Sequence, residues 1–156
     1  VSALHQRLTR FPCAKSVGQK AGLWGGSSPR ASAYIADAVA FLFETRTVGL
    51  RLRLLNSAMC PRFHCDNLPV RLVTTYVGPG SEWLPEYAIN RTGLGAPHPD
   101  KPEIATDTAA IQRLAPGDIG LIKGSGWVGS EERGLVHRSP ALDNGHKRLL
   151  MSIDPA

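Results

Sequence analysis

The stretch Val70-Arg71-Leu72-Val73-Thr74-Thr75-Tyr76-Val77 decides the fold. Its β-branched and aromatic residues suit a pleated, well-packed strand, and Gly78-Pro79-Gly80 ends it in a turn. Upstream, Val48, Leu50, Leu52 and Leu54 alternate with Gly49, Arg51 and Arg53, a period of two that predicts a half-buried strand. Farther upstream the period lengthens to 3.6. Ile35, Val39, Leu42 and Phe43 fall at i, i+4, i+7 and i+8 and predict one amphipathic helix over residues 29–44, with Ser28 as cap and Pro29 in its first turn. Downstream, after a long proline-bearing surface loop over 90–108, shorter strands are expected at 111–114, 119–123, 134–138 and 148–153. One helix followed by seven or eight short strands predicts a mainly β sandwich or jelly-roll barrel.

Composition agrees with many turns. The 16 Gly and 12 Pro in 156 residues exceed average usage by about half, which argues against a helical bundle. With 42% hydrophobic residues the chain can bury a core, and its longest apolar run, 38–43, is far too short to cross a bilayer. The net charge of +5 is unevenly placed. Arg7, Arg10, Lys15, Lys20 and Arg30 lie in the first 30 residues, which hold no acid, so the rest of the chain is neutral. A neutral body argues against nucleic-acid binding, which asks for a basic stripe on the folded domain. The reading is a basic flexible leader over 1–28 and a single domain over 29–156. Three cysteines, Cys13, Cys60 and Cys65, have no framework spacing and favour a reducing, cytoplasmic setting with thiols free or on metal.

The chemistry gathers around Cys60-Pro61-Arg62-Phe63-His64-Cys65-Asp66-Asn67. On an extended strand His64 and Asp66 point to one face, so an imidazole and a carboxylate can converge on one ion. His137, at a late strand end, is the third ligand this reading needs. Two His and one carboxylate form the facial triad of non-haem Fe(II) oxygenases, with open positions for cosubstrate and dioxygen. Arg148 follows His137 by 11 residues and shares a strand face with Leu150 and Ser152. A guanidinium buried in a barrel needs a partner, and a ligand carboxylate is a bidentate one. The rival is a zinc site with Cys60 as fourth ligand, since Cys60 would share the face of His64 and Asp66 while Cys65 points away. His98 in its proline loop, His146 after Asn144-Gly145 and His5 in the leader are weaker candidates. Glu82, Trp83 and Trp127 are read as core or as pocket mouth. Gly124-x-Gly126 lacks the remaining features of a dinucleotide fingerprint.

In order and spacing, His64, Asp66, His137 and Arg148 resemble the site of the Fe(II)- and 2-oxoglutarate-dependent oxygenases, and His64-Cys65-Asp66-Asn67 resembles the corresponding segment of prolyl hydroxylases. That resemblance implies a double-stranded β-helix (a cupin-like jelly roll), Fe(II) held by His64, Asp66 and His137, and 2-oxoglutarate held by Arg148. Where some of these enzymes carry Ser two residues after the Arg, this chain has Leu150, so Ser152 or Tyr76 would substitute. A wider resemblance runs from about Val48 to Asp154. Cys60-Pro61-Arg62-Phe63-His64, Thr75-Tyr76-Val77-Gly78-Pro79-Gly80, Glu82-Trp83-Leu84-Pro85, Gly117-Asp118 with Lys123-Gly124, and Gly134-Leu135-Val136-His137-Arg138-Ser139-Pro140 look like the bacterial domain-of-unknown-function family 1826. It implies metal handling, through that family's association with zinc-homeostasis GTPases, and no established activity.

Overall fold

The strand over Val70–Val77 lies inside a four-stranded antiparallel sheet, hydrogen-bonded on both edges. The structure is a computed structural model that describes residues 29–156, and the expected leader and the Ser28 cap fall outside the described residues. In chain order the elements are α1 (Pro29–Leu42), β1 (Val48–Leu55), β2 (Val70–Val77), β3 (Glu82–Trp83), β4 (Gln112–Arg113), β5 (Ile119–Lys123), β6 (His137–Arg138) and β7 (Arg148–Pro155). The large sheet runs β1-β7-β2-β5 and a smaller one runs β4-β3-β6. Among the described residues the fold is mainly β, antiparallel, with one α-helix. Its pairings are nested: β1 pairs with β7, His64 bridges to His137 of β6, β2 pairs with β5, and β3 with β4.

Register sorts the large sheet into two faces. Leu72, Met151 and Ile153 face α1 and pack with Val39, and Met151 and Ile153 are fully buried, each worth about 1.5–3 kcal/mol of transfer free energy. The other face carries Val73, Ile122 and Leu150, which meet Leu114, Leu135 and Trp83 between the sheets. A third cluster lies on the far side of the small sheet, where Phe63, Leu84 and Val136 pack with Ala88, Ile104 and Ala110.

Four expectations change. β1 is not half-buried: it is an edge strand, and α1 reaches Val48 but leaves Leu50, Leu52 and Leu54 exposed. The helix stops at Leu42, which is exposed, because Glu44 takes a left-handed φ of 49° that no helix continues through. The 90–108 segment is more than surface loop, since Ile104 enters the core and Ile89 bridges to Ala105. Arg62 tethers it further by donating to the carbonyls of Gly93 and Gly95. The 111–114 and 134–138 strands shrink to β4 and β6, since the Leu135 amide bonds the Lys123 carbonyl at 2.7 Å instead of the small sheet.

Candidate metal centre

His64 and His137 meet through a reciprocal backbone pair, each amide donating to the other's carbonyl at 2.9 Å. Directly opposed residues present their side chains on one face, and the two imidazole centroids lie 4.5 Å apart. Asp66 rejoins that face two residues after His64. Its Oδ1 is 3.7 Å from His64 Nε2 and its Oδ2 is 3.8 Å from His137 Nε2. The ligating atoms of the three residues all lie within 4.8 Å of one another.

Backbone carbonyls set the rings. His64 Nδ1 lies 3.0 Å from the Arg62 carbonyl and His137 Nδ1 lies 3.1 Å from the Leu135 carbonyl. Only an N–H can face a carbonyl, so each Nδ1 carries a hydrogen and each Nε2 is turned toward Asp66. Burial pushes His137 down to about 4, against the opposing pull of the Asp66 charge, so this ring is neutral at pH 7. Separations of 3.7 and 3.8 Å are too long for hydrogen bonds. They approach the spacing of about 3.0–3.5 Å for two donor atoms that each stand about 2.1 Å from one ion. Two imidazoles, tied at Nδ1 and facing a carboxylate, fit a divalent metal.

Glycines let the neighbouring turn clamp the Asp66 loop. The Ser125 amide bonds the Asp66 carbonyl at 2.8 Å and the Gly124 amide bonds the Pro69 carbonyl at 3.0 Å. A Cβ on Gly124 would stand 2.0 Å from the Leu68 carbonyl oxygen, and one on Gly134 would stand 2.1 Å from Cys65 Sγ. Gly124 therefore serves close packing, and the Cys65 sulfur, its thiol pushed up by burial, is occupied against Gly134. Cys60 is outside the His64–Asp66–His137 group, and its carbonyl receives the Ser139 amide.

Arg148 occupies the space between the two sheets and is only 1% exposed. Its Nη2 donates to Ser81 Oγ at 2.8 Å and to Thr75 Oγ1 at 3.1 Å, and Nε and Nη1 reach Thr75 and Ser139 at 3.3 and 3.5 Å. Among the described residues no carboxylate pairs with it, and burial pulls the guanidinium down to about 10, still charged at pH 7. Ser139 ties this cage to the triad, lying two residues beyond His137 and just past the end of β6. Trp83 stands directly across from His137, and its buried Nε1 has no hydrogen-bond partner among the described residues.

The sequence reading missed Thr75, Ser81 and Ser139, whose spacing carries no motif; Thr75 was findable as the hydroxyl on the Arg71–Val73 face of β2. The expected substitutes lie elsewhere. Ser152 is on the Arg148 face but opposite Val73, and Tyr76 is on the helix side, with its hydroxyl 3.2 Å from Ser32 Oγ and 3.4 Å from Met151 Sδ. Tyr76 interrupts the β2–β7 register between Thr75 and Val77, which carries it away from Arg148. Glu82 lines no open mouth: burial raises its carboxyl, but hydrogen bonds from Arg113 and Arg138 overcome this and hold it below the usual range. Trp127 meets Phe43 edge-on with Lys123 above it, while His98 and His146 are exposed.

No curated protein and no solved structure matches this chain. The family model described as "Protein of unknown function (DUF1826)" matches residues 32–154, most of the chain, and the protein belongs to that family.

Proposed function

We propose that the protein is a metal-dependent jelly-roll protein, a non-haem Fe(II)- and 2-oxoglutarate-dependent oxygenase of cytoplasmic location, acting on a small-molecule or protein substrate. Nested pairing supports the double-stranded β-helix. If the His64 segment counts as a second strand, the pairs become first with eighth, second with seventh, third with sixth and fourth with fifth. A long hairpin rolled into a barrel has that order.

His64 Nε2, His137 Nε2 and Asp66 would hold the metal. Fe(II) bound there would supply activation of dioxygen coupled to oxidation of the keto acid. The observation that carries the reading is Arg148, a buried guanidinium with hydroxyl partners only, tied by Ser139 to the strand of His137. A buried charge without a counter-ion is costly, and a ligand carboxylate relieves it. Arg148 binds that carboxylate, Thr75, Ser81 and Ser139 donate to its oxygens, and the Trp83 N–H offers a further donor between the sheets. Leu114, Ile122 and Leu135 keep water out of the same layer.

A second reading, zinc binding without catalysis, is favoured by the donor set, which suits zinc equally. Turnover separates the two. The Fe(II)-loaded protein is expected to convert 2-oxoglutarate to succinate in air, and Arg148→Met to abolish turnover while retaining metal. A metal-loaded wild-type protein with no affinity for 2-oxoglutarate would reject the oxygenase in favour of the zinc reading.

A further inference from the structure

Arg71 projects from β2 on the face that looks toward the small sheet, and its donors divide between two carboxylates. Nε and Nη2 grip Asp154 of β7 at 2.7 and 3.0 Å, a bidentate fork. Nη1 donates to Asp66 Oδ2 at 2.9 Å. Asp154 is held from its other side by Arg51 of the edge strand at 2.5 Å. Four charges thus run in a row across three strands from the exposed Arg51 to the candidate ligand. A guanidinium is planar, so gripping Asp154 with one edge fixes the direction of Nη1. We propose that Arg71, aimed by Asp154, is a positioning residue that keeps Asp66 a one-oxygen metal ligand.

The consequence is coordination number. A carboxylate gripping an ion through both oxygens fills two positions. With Oδ2 engaged by Arg71, Asp66 offers Oδ1, on the side of His64 Nε2, and more positions stay open for exogenous ligands. The inference rests on the metal reading of the triad. It adds to it that access to the metal is set from the sheet, by residues that touch no ligand other than Asp66.

The test uses Co(II) as probe, titrated into the full metal-free chain and followed by visible absorption and thermal unfolding. Arg71→Gln and Asp154→Asn are expected to weaken Co(II) binding about 10–100-fold and to change the absorption envelope as Asp66 turns. Arg71→Lys separates positioning from charge. A lysine keeps the ion pairs and so the unfolding midpoint, but lacks the fork, and the altered spectrum is expected to persist. Should Arg71→Gln fail to fold, Asp154→Asn gives the same reading without removing the group that contacts Asp66. Wild-type affinity and spectrum in Asp154→Asn and Arg71→Lys would overturn the inference. If His137→Gln abolishes Co(II) binding while these variants do not, only the positioning role falls. A wild-type chain that binds no Co(II) overturns both this inference and the metal reading beneath it.

Discussion

The two faces of the large sheet are built from the same strands and do opposite work. Toward α1, Leu72, Met151 and Ile153 form an ordinary apolar layer against Val39. Toward the small sheet, the same β2 and β7 carry Arg71, Thr75, Arg148 and Asp154, three of them charged. Buried charge is a poor route to stability, because desolvation offsets most of the attraction. The helix face is built on an apolar cluster, whereas the inner face sets charged groups at either end of its own apolar cluster of Val73, Ile122 and Leu150. Those charged groups are placed for something else: one end serves Asp66 and the other keeps a cation ready.

The comparison predicts unequal costs. Met151→Ala on the helix face is expected to lower unfolding free energy by about 2–5 kcal/mol, read by urea denaturation. Arg148→Met on the inner face, a swap of similar length, should be neutral or stabilising in the ligand-free protein, since it removes an uncompensated buried charge. A loss as large as that of Met151→Ala would mean Arg148 is a structural element, and the contrast between the faces would fail.

Acid sharpens the contrast further. Glu82 has a folded-state pKa below its unfolded value, so its contribution to stability is present above about pH 4.3. It is lost as pH falls from there through the folded value. Glu82→Gln should flatten this acid limb of stability against pH without changing metal affinity. An unchanged limb would show that its pairs with Arg113 and Arg138 add nothing. The smallest effect belongs to the exposed edge: Leu52→Thr is expected to change stability by about 0.5 kcal/mol or less. A cost near that of Met151→Ala would show that β1 is covered in solution.

Much of this was legible before any coordinates. VRLVTTYV marks β2 to the residue, because β-branched density and a Gly-Pro-Gly stop are both local signals. The approach of His64 and Asp66 follows from strand parity, and His137 from its place at a late strand end. What escaped was pairing. No local pattern reveals that Arg71 lies beside Asp154, 83 residues away, or that Thr75, Ser81 and Ser139 surround one guanidinium. Alternation in β1 misled for a related reason: period two shows that a strand has two faces, not that a helix extends far enough to cover one.

The central claim is that His64, Asp66 and His137 bind one divalent ion. Its most direct test is calorimetric titration of Fe(II), without oxygen, into the metal-free full chain and into His137→Gln. The account predicts one ion per wild-type chain and none for the variant at the same concentrations. No binding to the wild type, or equal stoichiometry and affinity in both proteins, would contradict it.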